Sequence, residues 1–216
     1  MNFLAHCTLA SAHPDLLVGG FLGDFVKGPV PDLPGELSAG IRLHRYIDAY
    51  SHRQPDLQRS AQRFGPDLRR FAPIFVDLIA DHFLACRFER LHDAELVVFT
   101  ASAYDCIHQH RRQLSLGART FYEHARRRDL FAAYGETAVL ARTVERVAQR
   151  LRRPELAALA MAQFEARQAE LADDFEAYYP ALLAQTADWL QTHWSGTPEP
   201  LLSDAPRPTP QPERNG

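Results

Sequence analysis

FAPIFVDLIADHFLACRFERL (71–91) decides the fold class. Its apolar side chains fall at Phe71, Ile74, Phe75, Leu78, Ile79, Phe83 and Leu84, the 3-and-4 spacing of a helix with a wide buried stripe. Pro73 suits a first turn, where its missing N–H costs nothing. TAVLARTVERVAQRL (137–151) repeats the pattern through Val139, Leu140, Val144, Val147 and Leu151. The stretch 154–194 is a long Ala- and Leu-rich helical run, expected to kink or restart near Pro180. No run alternates with the period of a strand, so the spacing predicts an all-α, single-domain helical bundle over 1–193. Six prolines crowd the remaining segment, 194–216, which reads as a disordered or extended tail.

The totals narrow the function. A chain of 216 residues with 46% apolar side chains is one domain with material for a core. A net charge of −3 and the lack of a basic–aromatic motif argue against nucleic acid. Lys27 is the only lysine, the other basic residues being arginine, whose forks suit carboxylates and phosphates. Cys7, Cys86 and Cys106 are odd in number and lack a pairing spacing, which points to a reducing compartment. With no signal-like N-terminus and no apolar run of the roughly 20 residues a bilayer needs, the chain reads as cytoplasmic, without a membrane partner.

Chemistry-bearing residues stand out where they interrupt apolar surroundings. Asp77 and Asp81 lie four apart in the quoted segment, and His82 follows directly. A buried carboxylate needs a partner, and like charges at i, i+4 repel; a divalent cation removes both objections. In IRLHRYIDAYSH (41–52), His44, Asp48 and His52 stack at i, i+4 and i+8. Asp24 sits in GGFLGDFVKG (19–28) between Leu22 and Phe25, and His6 follows Phe3 and Leu4. Taken singly, each has a plainer reading: an aspartate is most often a cap or surface residue, a histidine a satisfied core residue, and His52 a helix end. His13, His92, His108, His110 and His124 read as loop or surface residues. The recurring pairs make the case for a site. Imidazole with several carboxylates and no paired cysteines favours manganese or magnesium, or a mixed iron site, over structural zinc.

Taken together, MNFLAH, GGFLGDFVKG, GIRLHRYIDAYS, APIFVDLIADHFL, RRPEL and FEAYYP resemble the acyl carrier protein phosphodiesterases, in order over residues 1 to 190. The resemblance implies an all-helical, cytoplasmic, metal-dependent enzyme, distantly akin to the HD-type phosphohydrolases. It would hydrolyse the 4'-phosphopantetheine group from holo acyl carrier protein, leaving the apo form, with Mn²⁺ as the expected metal and Mg²⁺ or Fe²⁺ as alternatives. The motif positions carry over as His6, Asp24, His44, Asp48, Asp77, Asp81 and His82. The doublet here reads Asp–His, the reverse of the order that names the HD group, which leaves open whether Asp81 or His82 faces the metal. On this basis Asp24, His44 and Asp81 are the expected ligands. Asp48 or Asp77 is then a supporting group or the general base, and His6 or His82 orients the phosphate or protonates the leaving serine. An acidic carrier calls for a basic dock, for which Arg63, Arg69, Arg70, Arg152 and Arg153 are candidates, with Arg59, Arg126–Arg128 and Arg150 beside them. The competing readings are an HD-type phosphohydrolase of nucleotides or free phosphoesters, and a helical binding protein whose Asp and His pairs are structural.

Overall fold

A computed structural model describes residues 1–202. Among them the chain forms twelve α-helices and no strand. The helices are α1 (Phe3–Leu9), α2 (Pro14–Leu22), α3 (Leu37–Ser51), α4 (Pro55–Arg63), α5 (Gly65–Leu68), α6 (Ala72–Leu91), α7 (Leu96–Gln109), α8 (Leu116–Arg128), α9 (Leu130–Ala133), α10 (Thr137–Arg150), α11 (Glu155–Ala166) and α12 (Gln168–His193). A 3-10 turn, Gly23–Phe25, follows α2. The all-α single-domain expectation is met, and no described helix is long and apolar enough to cross a membrane.

The quoted segment is the hub. α6 packs against α1, α4, α7, α9, α10 and α12, so its apolar residues are buried nearly all round rather than along one stripe. The closest pairing is α2 with α3. A Cβ on Gly40 would overlap the Leu16 carbonyl oxygen and lie 2.7 Å from Gly19 Cα. Only hydrogen at both positions lets the two backbones touch. This crossing sets the height of α3, and with it the height of His44 and Asp48.

The run 154–194 departs from expectation. It breaks at Arg167, between α11 and α12, and α12 continues through Pro180 without restarting. The proline forfeits one backbone hydrogen bond, but Phe175, Tyr178, Tyr179 and Leu182 are buried around it and hold the helix in line. Near its start, the buried Asp174 fastens α12 to α4. It accepts from Arg59 Nε (2.7 Å), Ser60 Oγ (2.9 Å), and Arg63 Nε (2.6 Å) and Nη2 (3.0 Å). Beyond α12, the backbone N–H groups of Glu199 and Leu201 donate to the carbonyls of Ala12 and Ser11 at 2.8 and 2.9 Å. The first part of the expected tail thus lies along the α1–α2 connection, and the rest, 203–216, lies outside the described residues.

Two outcomes test this architecture. Gly40→Ala should lower stability by about 1–3 kcal/mol, because backbone cannot yield as a side chain does; urea denaturation measures it. Asp174→Asn should cost about 2 kcal/mol at neutral pH. Burial works against the charge of Asp174, but Arg63, Arg59 and Ser60 hold its pKa below the ordinary 3.8. A depressed carboxylate contributes stability above its unfolded pKa and loses it as pH falls through the folded value. The gap between wild type and Asp174→Asn should therefore stay constant from pH 7 to 5 and close below about pH 4.

Candidate active site

Three of the sequence-predicted residues meet at one point. His6 comes from α1, and His44 and Asp48 come from α3, one turn apart. His6 Nε2 lies 3.1 Å from Asp48 Oδ1, and His44 Nε2 lies 3.3 Å from Asp48 Oδ2. The imidazoles stack with centroids 3.7 Å apart, and one ligand atom from each of the three residues falls within 4.8 Å of the others. The histidines are buried and the aspartate is partly open.

The hydrogen-bond bookkeeping at this point is unusual. His44 Nδ1 is 2.8 Å from the Gly20 carbonyl, which can only accept, so Nδ1 carries the proton. A neutral His44 then turns a bare Nε2 lone pair toward a carboxylate oxygen. Two acceptors in contact need a cation between them, either a proton or a metal ion. Fixing Nδ1–H on a carbonyl is also how a metal-ligating histidine is oriented. His6 is not constrained in this way: its Nδ1 is buried without a partner, so a neutral ring can either donate Nε2–H to Asp48 or turn the Nε2 lone pair to a cation. Burial, and then His44, lower the His6 pKa to about 3. Its ring is therefore neutral and able to donate a lone pair near neutral pH. Burial opposes the charge on Asp48, but with a proton on His44 Nε2 the hydrogen bonds from His44 and His6 hold it well below the carboxylate range. A metal ion in that proton's place would favour the carboxylate in the same way. Two neutral imidazoles and one carboxylate fit a divalent cation.

The other expected residues separate by position. Asp24, on the 3-10 turn, and Asp77, on α6, line a cavity of about 410 Å³ beside the cluster, with Met1, Phe3, Phe25, Ile74, Leu78 and Phe121 among its apolar walls. The amino group of Met1 lies 3.0 Å from Asp77 and 3.5 Å from Asp48. Burial disfavours its charge, but Asp77 and then Asp48 outweigh that and raise its pKa to about 10. Asp81 faces elsewhere. Its two oxygens accept from the backbone N–H groups of Leu4 (2.9 Å) and Ala5 (3.0 Å), in the first turn of α1. Asn2, at the N-cap position, makes no side-chain cap, so Asp81 does that work from 76 and 77 residues away. Burial raises the Asp81 pKa to about 7 although both amides pull it down. His82 is outside the cavity: its Nδ1 donates to the Tyr134 carbonyl at 2.9 Å, and its Nε2 faces Cys86 Sγ at 3.8 Å.

The arginines also sort themselves. The Arg63 fork is taken up by Asp174 rather than turned outward. Arg70 and Arg153, far apart in sequence, both lie over the Phe71 ring with Cζ 5.8 Å from its centroid. Arg69 and Arg152 are exposed beside them in the chain, and Arg152 closes α10 in the left-handed region at φ 58°. Arg153 also pairs with Glu155. His124, from α8, reads in the sequence as a loop or surface residue, and Arg150, from α10, as a docking candidate, exposed as that reading expects. Both also line the cavity, joined there by Arg146. The available signal was spacing, since Thr143, Arg146, Val147 and Arg150 fall at i, i+3, i+4 and i+7 and share one helix face.

Imidazoles and carboxylates converging beside one walled cavity are the build of an all-helical enzyme. The family model described as acyl carrier protein phosphodiesterase matches residues 1–182. Proteins named acyl carrier protein phosphodiesterase from Yersinia pestis and Yersinia enterocolitica are each 35% identical, over 86% and 87% of this chain and 97% and 98% of their own. One from Escherichia coli is 40% identical over 48% of this chain and 54% of its own. No solved structure matches. The chain belongs to the acyl carrier protein phosphodiesterase family, whose name describes phosphoric diester hydrolases.

If the Asp81 cap holds α1 and His6 in place, Asp81→Ala strands two buried amides and should cost about 2–4 kcal/mol. Asp81→Asn keeps one acceptor oxygen and should recover part of it. Urea midpoints of the three proteins decide this, and an Asp81→Ala protein as stable as wild type would contradict it.

Proposed function

We propose that the protein hydrolyses the phosphodiester joining 4'-phosphopantetheine to the serine of holo acyl carrier protein, releasing the apo carrier, with a divalent metal held by His6, His44 and Asp48. The observation that carries the metal is the His44 lone pair aimed at Asp48 while Nδ1 is committed to Gly20. The family and the relatives' names support the carrier as substrate. Manganese is the metal proposed, with magnesium and ferrous iron as alternatives. When bound, the cation neutralises charge on the phosphoryl oxygens and lowers the pKa of water.

The chain's own residues supply the rest. Asp77, partly buried in the cavity wall, takes a proton from the attacking water as its oxygen bonds to phosphorus. The bond to the serine oxygen breaks with its electron pair on oxygen, and the proton taken from water balances the one the serine regains. Asp24, on the same wall, would add carboxylate charge beside the cation. Asp81 acts through α1 by holding His6 in register, and His82, outside the cavity, takes no part in the chemistry. Arg69, Arg70, Arg152 and Arg153 around Phe71 form the dock for the acidic carrier, and the two that share the Phe71 ring lie at its centre.

The test is mass spectrometry of holo acyl carrier protein incubated with the protein and Mn²⁺, beside an EDTA control. Loss of the phosphopantetheine mass with metal alone is the expected result. An untouched holo carrier, with activity on nucleotides or free phosphoesters, would replace this reading with a small-molecule phosphohydrolase. The dock has its own signature: rising salt should lower kcat/KM for the carrier, and Arg70→Ala with Arg153→Ala should flatten that dependence.

A further inference from the structure

In the cavity the Met1 amino group pairs with Asp77, but the two arginines pair with neither carboxylate. Asp24 and Asp77 share it with Arg146 and Arg150, yet neither arginine forms an ion pair among the described residues. Arg146 Nη1 makes one long contact, 3.5 Å from His124 Nε2, and the Arg150 guanidinium has no hydrogen-bond partner among the described residues. Thr143 cannot serve them, because its hydroxyl donates to the Val139 carbonyl at 2.9 Å. Had these arginines been present to neutralise the carboxylates, the short route was an ion pair, as Arg63 makes with Asp174. They stand apart instead, one turn apart on the same face of α10.

We propose that Arg146 and Arg150 are the phosphate-binding side of this cavity, gripping the non-bridging oxygens of the substrate's phosphodiester. The proposal rests on the phosphodiesterase reading above and adds the residues that hold the anion. A guanidinium fork offers two parallel donors to two phosphoryl oxygens. Both arginines are exposed side chains, open to an incoming anion, on a cavity otherwise walled by Phe25, Leu78 and Phe121. About 410 Å³ is the size of a small-molecule site, enough for a phosphodiester and the start of its arm. His124 reinforces the polarity. Burial first, and then Arg146, Arg128 and Arg127, depress its pKa, so the ring beside Arg146 is neutral and leaves the positive charge to the arginines. The cavity is thereby divided, with a carboxylate side suited to a cation and an arginine side suited to the phosphate bound with it. Arg70 and Arg153, by contrast, lie on Phe71 and do not line the cavity.

Two readouts test this on the full chain. The first is calorimetric titration of inorganic phosphate into metal-free wild type, Arg146→Ala, Arg150→Ala and Arg150→Lys, with Tm as a folding control. Wild type should bind, each alanine variant should bind about ten to a hundred times more weakly, and lysine, which keeps the charge without the fork, should fall between. The second is steady-state hydrolysis with Mn²⁺ of holo acyl carrier protein and of bis(p-nitrophenyl) phosphate. The alanine variants should lose kcat/KM on both substrates, whereas the Arg70→Ala, Arg153→Ala double variant should lose it on the carrier alone. Wild type that binds no phosphate overturns the proposal. So does unchanged phosphate binding in the alanine variants, which would move the anion to another arginine cluster such as the groove lined by Arg112, Arg119 and Arg127. Loss on the carrier alone would make Arg146 and Arg150 docking residues. If wild type leaves the holo carrier intact while phosphate binding and diester turnover still depend on Arg150, the carrier reading fails and this one stands.

Discussion

Asp81 carries the constraint on which the site depends. A carboxylate buried in the central helix accepts the two first-turn amides of α1, and so fixes where the short helix bearing His6 begins. A helix of seven residues is too short to hold itself in water and takes its order from its partners. The opposing half of the site is fixed differently, by bare backbone contact between Gly19 and Gly40 where α2 crosses α3. The two devices converge: the Gly20 carbonyl beside that crossing receives His44 Nδ1–H and turns the ring toward Asp48. Gly23 leaves room for it, since a Cβ there would overlap the imidazole.

Once the scaffold has placed these groups, electrostatics defines what they accept. A lone pair against a carboxylate, with a second imidazole stacked 3.7 Å away, is a poor arrangement without a positive charge and a good one around a cation. The cavity beside it repeats the asymmetry on a larger scale, with aspartates and arginines held apart. A phosphodiester carried with a divalent cation has the matching distribution of charge.

The helices were legible because 3.6-residue periodicity is a local property, and α6, α10 and most of the rest follow it. The break at Arg167 and the passage through Pro180 were not, because packing of Phe175, Tyr178 and Tyr179 decides them. His44 and Asp48 could be paired on sight, four residues apart on one helix. Asp81 reads as a ligand from its apolar setting, and spacing cannot show that its oxygens accept the first-turn amides of a helix some 77 residues away. His82 follows Asp81 in sequence and therefore points to a different neighbour, the Tyr134 carbonyl. Arginines were read as an outward dock because their number was visible and their partners were not; Arg63 turned out to hold α12, and Arg150 to line the cavity.

The central claim is that His6 and His44, carried by different helices, hold one metal ion. Pulsed electron paramagnetic resonance of the Mn²⁺-loaded protein reads it most directly, through couplings to imidazole nitrogen. Wild type should show two such nitrogens, with one lost in His6→Ala and the other in His44→Ala. Bound Mn²⁺ without nitrogen couplings, or couplings unchanged in both variants, would contradict the account.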